Sequence, residues 1–257
     1  MNPAAPLAPE EALPTGSAKT QMVRQMFDTI APRYDLVNRV MTLGLDQGWR
    51  RRTVAALELA PTSLVLDLAC GTGDLVALLR ASGYRPIGAD LSFGMLASAR
   101  PETRGLVLEA DGATLPLAAG ALDGIVSGFA LRNFSNLATI FAEAARVVRP
   151  GGRVSFLDVD APALPLLRHG HQWWFTKVVP RIGAVFSDPT AYRYLPRSVA
   201  YLPPAPEMRA LFEQAGFDQV VQHRLSAGIV QLWSATRARH QARATHRLGN
   251  GAPAVDR

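Results

Sequence analysis

The stretch VLDLACGTGDL, residues 65–75, constrains the fold more than any other: an apolar, strand-like run ends in an acid and breaks into two glycines one residue apart. A strand that stops at a glycine turn and passes straight into an apolar-periodic segment is the first half of a strand–helix–strand unit. Its second strand must return parallel to the first.

The chain repeats that alternation. Candidate strands run over 64–68, 86–90, 106–109, 122–127 and 153–159, with helices predicted near 75–81, 93–99 and 137–148, the last stopped by Pro150, Gly151 and Gly152. Such alternation implies a parallel sheet covered by helices on both faces. A helix over 206–215, the break at Gly216 and two β-rich runs, 217–225 and 229–236, follow. Only Ser226, Ala227 and Gly228 separate those runs, so they should pair antiparallel. The expected fold is α/β: a mostly parallel seven-stranded sheet with the last strand antiparallel. With 257 residues, 48% of them hydrophobic, the chain can bury one such domain and leaves no room for a second large one.

Outside the alternation, residues 1–20 are rich in Ala and Pro without a period and read as a disordered leader, and the methyl-rich and apolar positions of 21–60 predict two or three short helices. Met22, Met26, Phe27 and Ile30, then Val37, Val40, Met41 and Leu45, recur at helical steps broken at Pro32 and Gly44. Residues 161–205, rich in Pro, aromatics and Arg, are too long for an ordinary connection and suggest a functional insertion in a domain spanning 21–237.

The glycine turn resembles a dinucleotide site but departs from it. Val76 stands where the third glycine of that fingerprint would be, and Asp67 and Asp74 would repel a pyrophosphate docked on the turn. Asp90 ends the second strand, 17 residues after Gly73, where an acid can accept from both hydroxyls of a ribose, and Asp111 follows the third strand, within reach of an adenine amino group. Four carboxylates along one sheet edge suit a ligand with a ribose, an ammonium and a sulfonium but no phosphate, the composition of S-adenosylmethionine. Helix capping remains the simpler role for any one of these acids. Cys70, with no His or Lys beside it, reads as a small buried spacer.

One cysteine excludes a disulfide framework and a multi-cysteine metal site, so no metal is expected. No window reaches the roughly 18 apolar residues of a membrane helix, and the first residues lack a secretion signal, which gives a cytosolic reading with peripheral contact at the inner face of the membrane as an option. The net charge of +6 is uneven: from residue 235 onward five arginines face one aspartate, leaving +2 for the rest. Residues 238–257 thus form a basic tail, read as a solvated extension, and nucleic acid is the less favoured partner. Arg50, Arg51 and Arg52 read as a solvated helix face, with membrane-surface contact as the functional alternative.

LDLACGTGD, GADLSFGML and ARVVRPGGRV resemble the class I S-adenosylmethionine-dependent methyltransferases, a Rossmann-like fold. Narrower segments outside that core, MFDTIAPRYDLVNRVMTLGLDQGWRR (26–51), GFALRNFSN (128–136), VVPRIGAVFSD (178–188), AYRYLPRSV (191–199) and LSAGIVQLW, are similar to the ubiquinone/menaquinone biosynthesis C-methyltransferase family across about residues 20 to 237. The resemblance implies cofactor contacts at Thr72, Asp90, Asp111 and Gly112, joining Asp67, Gly71 and Gly73 of the turn, and a prenylated quinol ring near Arg132 and Asn133. Many members carry Gly at Ala130 and Ser at Gly128, and LDVDAP also departs from their pattern, so the departures fall on the substrate side.

Carbon methylation needs an electron-rich ring carbon held in line with the donor, with the ring oxyanion stabilised and water excluded. Arg132, after the fourth strand, is placed to stabilise a phenolate or polarise a water; the plainer alternative is an arginine bridging loops. His171, Trp173, Trp174, Tyr192, Arg193 and Tyr194 of the insertion could wall the head group and isoprenoid tail, and Tyr34 and Asp35 belong to a helical lid over the cofactor. The expected activity is methylation of demethylmenaquinol to menaquinol. The ubiquinone-pathway benzoquinol, another aromatic natural product and a nucleic-acid-binding role are the alternatives, and the oligomeric state, a homodimer included, is open.

Overall fold

The computed structural model describes residues 14–103, 105–160, 194 and 197–239. Three helices come first, α1 (Gly16–Ile30), α2 (Tyr34–Met41) and α3 (Asp46–Ala55), with a 3-10 turn at Ala31–Arg33 between the first two. Then follow β1 (Leu64–Leu68), α4 (Asp74–Ala81), β2 (Arg85–Asp90), α5 (Phe93–Ala97), β3 (Val107–Glu109), β4 (Leu122–Gly128), α6 (Leu137–Val147) and β5 (Val148–Val159). After the insertion come α7 (Ala205–Gln214), β6 (Phe217–Leu225) and β7 (Val230–Arg237).

The sheet has seven strands in the order β3-β2-β1-β4-β5-β7-β6. The first five strands pair parallel, and β7 is antiparallel to both neighbours, as the short link at residues 226–228 requires. Winding runs outward in both directions from β1 and β4, which opens a crevice above their carboxyl ends.

Alternation along β1 decides what faces what. Leu66 and Leu68 join the core cluster built with Phe141, Phe156, Phe212 and Trp233, in which Phe141 and Phe212 stack at 4.0 Å. Val65 points to the other face, against Val54 of α3 and Leu75 and Leu79 of α4. Asp67 shares the Val65 side by the period of two, so its carboxylate is carried into the interior beneath α3 and α4.

Two boundaries differ from expectation by more than two residues. The chain is helical from Gly16, so residues 16–20 belong to the fold. Lys19 is 3% exposed, its Nζ donating to the Phe134 carbonyl at 2.8 Å and lying 3.4 Å from the centre of the Tyr201 ring. Partners 115 and 182 residues away leave no local signal in an Ala- and Pro-rich leader. At the other departure, α6 runs into β5 without a turn, because Val148 is already extended. Pro150–Gly152 lies inside the strand at a register shift opposite Leu122 and Gly124. A Cβ on Gly152 would stand 2.6 Å from the Asp123 carbonyl. The expected 1–20 leader and 238–257 tail otherwise fall mostly outside the described residues, as does most of the 161–205 insertion.

Candidate active site

The crevice above β1 and β4 holds a cavity of about 220 Å³. Its floor is the turn after β1, in which Ala69, Gly71 and Gly73 all take positive φ (57°, 56° and 90°). Asp90 stitches that turn to the next unit: one carboxylate oxygen accepts from the Gly71 amide and the other from the Ser92 amide, both at 2.8 Å. Burial raises its carboxyl above the ordinary value, against the pull of those amides. Asp90 lines the cavity, where its carboxylate can accept further donors from a ligand.

Asp111 lines the same cavity and accepts from the Ala113 amide at 2.8 Å, with Gly112 beside it. A Cβ on Gly112 would stand 3.0 Å from Leu68, 3.4 Å from Ile140 and 3.5 Å from Phe134, which form an apolar slot around it. The expected group Gly71, Asp90, Asp111 and Gly112 is therefore gathered on one cavity.

Asp67 stands in an adjoining small cavity that shares Tyr34, Ala69, Gly71 and Gly128 with the first. It is 1% exposed, and neither oxygen has a hydrogen-bond partner among the described residues. Burial pushes its carboxyl well above the usual carboxylate range, with Asp90 and Asp74 adding to the rise and Arg50 and the approach of the Val76 amide opposing it. A buried carboxylate left unsatisfied costs free energy that a cationic ligand would recover.

Four expected roles change. Asp74 does not project a free charge over the turn: Arg100 pairs with it at 2.7 Å, Arg50 at 3.6 Å and Arg39 at 3.9 Å. Arg50 is accordingly buried, not part of a solvated face, while Arg51 and Arg52 are exposed. Thr72 spends its hydroxyl proton on Asp35 at 2.6 Å, tying the turn to α2. Gly73 borders neither cavity; its need for glycine lies in its φ of 90° and in Thr103, whose Oγ1 would be 2.7 Å from a Cβ.

Arg132 also departs from expectation. It is 6% exposed and absent from the cavity wall, because its guanidinium pairs with the fully buried Asp158, donates to the Phe129 carbonyl at 2.7 Å and reaches Ser198 Oγ at 3.2 Å. The other Asp158 oxygen accepts from the Arg132 amide at 3.0 Å. With its charge compensated by Asp158 and no place on the cavity wall, Arg132 fits the loop-bridging role. Asn133, next in the chain, does line the cavity; its Oδ1 accepts from the Tyr194 hydroxyl at 3.3 Å. Tyr194 is buried, and burial raises its phenol above the ordinary value. His171, Trp173, Trp174, Tyr192 and Arg193 lie outside the described residues.

The roof is α1, whose residues 21–30 fall in the helical lid expected over residues 21–60. Thr20, Val23, Arg24 and Phe27 face the cavity, joined by Tyr34 of α2. Polar clasps hold it down: Lys19 to Phe134, Arg24 to Glu109 at 2.6 Å, and Asp28 accepting from Ser92 Oγ at 2.6 Å and the Gly94 amide at 2.9 Å. Of the periodic positions Met22, Met26, Phe27 and Ile30 read from the sequence, Phe27 lines the cavity, joined by Val23. By contrast α3 packs on the sheet and forms core rather than roof.

The family model for the ubiE/COQ5 methyltransferase family matches residues 15–237. The chain is 42% identical to the ubiquinone/menaquinone biosynthesis C-methyltransferase UbiE of Syntrophotalea carbinolica, over 85% of this chain and 95% of that one. It is 44% identical to the demethylmenaquinone methyltransferase of Thermus thermophilus, over 75% and 91%. Among solved structures, a chain from the complex of the Haloferax volcanii Trm112 methyltransferase activator with a methyltransferase superposes with a TM-score of 0.60 at 18% identity, covering 82% of this chain and 97% of that one. Phosphoethanolamine N-methyltransferase 2 of Haemonchus contortus, in complex with S-adenosyl-L-methionine, gives 0.55 at 13% identity, covering 74% and 52%. At such identities the two structures establish the fold alone.

Proposed function

The chain belongs to the ubiE/COQ5 methyltransferase family, and from that membership we propose that it transfers the methyl group of S-adenosylmethionine to a ring carbon of demethylmenaquinol, forming menaquinol. The observation that carries the reading is one crevice with an unpartnered buried carboxylate, Asp67, at one end and the Asn133 amide at the other.

The donor supplies an electrophilic methyl on a sulfonium, and the residues present fit it. Asp67 would hold its ammonium, Asp90 its ribose hydroxyls, and Asp111 with the Gly112 slot its adenine. Arg50 balances the excess of carboxylates without closing the cavity.

On the substrate side, Asn133 is the polar group we assign to a quinol hydroxyl. Its amide can donate to the ring oxygen as that oxygen gains charge, and Tyr194 and the loop held by Arg132 and Asp158 keep it aimed. Phe129, Ala130 and Phe134 supply apolar wall around the ring, and α1 excludes water above it. Substrate contacts at Tyr34, His171, Tyr192, Arg193 and Tyr194 are part of the same proposal. So is peripheral contact with a membrane, where a prenylated quinol resides.

The test is transfer of labelled methyl from S-adenosylmethionine to demethylmenaquinol, run beside the ubiquinone-pathway benzoquinol and RNA. Product with the menaquinone precursor is expected. Labelling of the benzoquinol alone would move the substrate, and no product with either quinol would overturn the reading.

A further inference from the structure

We propose that the outer side of residues 31–45, with α5 beside it, is the surface by which this protein sits on an anionic phospholipid bilayer. The proposal deepens the quinol reading and rests on it for its purpose, because an isoprenoid substrate has to be taken from lipid.

Four of the five large hydrophobic residues most exposed among the described residues lie here: Leu36 (55%), Leu43 (73%), Leu45 (52%) and Phe93 (63%). Leu36 lies on α2 next to the buried Val37, and Leu43 and Leu45 follow in the turn that leaves the end of that helix. The 3-10 turn Ala31–Arg33 packs against α5, which brings Phe93 beside this segment. Leu43 is also held at φ 53°, in the left-handed region that favours glycine. A leucine that is both strained and exposed adds nothing to the fold and points to another surface as its partner.

Charge selects the kind of surface. Between residues 31 and 52 the exposed ionic side chains are Arg33, Arg39, Arg51 and Arg52. Of the two carboxylates of that span, Asp46 is buried against Thr42 and Arg50, and Asp35, 31% exposed, accepts from Thr72 and lies near Arg100. Exposed leucines in a span whose exposed ionic side chains are all arginines match an anionic interface of acyl chains and phosphates. The placement serves the site, since Tyr34 at the start of α2 lines the cavity, so the apolar face adjoins its wall.

Co-sedimentation of the full chain with phosphatidylcholine vesicles, with and without phosphatidylglycerol, tests the idea. The wild type is expected to pellet with the anionic vesicles, less so at high salt. Leu36→Ser/Leu43→Ser/Leu45→Ser should bind about tenfold more weakly and Arg51→Gln/Arg52→Gln several-fold more weakly. Both variants should keep the wild-type circular dichroism spectrum and wild-type turnover of a quinol lacking the isoprenoid tail. Pelleting of the leucine variant equal to wild type, or none by the wild type, overturns the proposal. So does sedimentation velocity showing a dimer that the leucine variant dissociates, which would assign the face to a second copy. Leucine-dependent pelleting without methylation of any quinol would leave the surface standing and remove the quinol reading.

Discussion

Arg132 and Asp158 meet in the protein interior, where one carboxylate accepts from both the guanidinium and the backbone amide of the same arginine. The pair joins the loop after β4, which carries Asn133, to the end of β5, and through Ser198 to the far side of the insertion. Removing one partner leaves a buried charge alone. Asp158→Ala and Arg132→Ala should each cost about 3–5 kcal/mol in urea denaturation. Replacing both by apolar residues should cost much less than the sum. Additive losses would mean that the pair is not coupled.

Asp67 gives a pH-dependent outcome of defined sign. Its carboxyl keeps its proton in the folded protein at pH values where the unfolded chain has lost it, so the folded state binds more protons and stability falls as pH rises through that window. Asp67→Asn cannot titrate. The ligand-free variant should lose the wild type's fall in stability with pH, so that the gap between them shifts in the variant's favour from below about pH 4 to pH 8. The same change should weaken S-adenosylmethionine binding by about tenfold or more, as measured by calorimetry.

Lys19 should show the opposite slope. Burial lowers its ammonium from 10.5 to about 8, so the folded protein releases this proton first and gains stability as pH rises between those values. Lys19→Met should abolish that rise in a series of thermal melts. Loss of the bond to Phe134 should also loosen the α1 roof and speed cofactor dissociation in stopped flow.

Gly73→Ala should destabilise by about 1–3 kcal/mol, through its left-handed backbone and the approach of Thr103. Thr103→Ala in the same chain should restore part of that loss. No recovery would leave the backbone conformation as the whole cause.

Much of the fold and half of the site were legible in the chain itself. Strand spans at 64–68 and 217–225 agree to the residue, because a two-residue period against a core and a glycine stop are properties of neighbouring side chains. The gathering of Gly71, Asp90, Asp111 and Gly112 follows from the same rule, since consecutive parallel strands deliver their last residues to one edge. The helix from Gly16 was not legible, because its burial depends on Phe134 and Tyr201.

What the sequence by itself determined was the order of strands and helices and the presence of acids at the carboxyl edge. Which of those acids remains available was decided only by tertiary structure. Asp74 is taken by Arg39, Arg50 and Arg100, Asp90 is oriented by two amides, and Asp67 alone is left buried and unpaired. Arg132 became a structural cation for the same reason, its partner being 26 residues away. Backbone pattern is written by adjacent residues, but the free energy of a charge depends on burial and on the nearest opposite charge, and the folded chain supplies both.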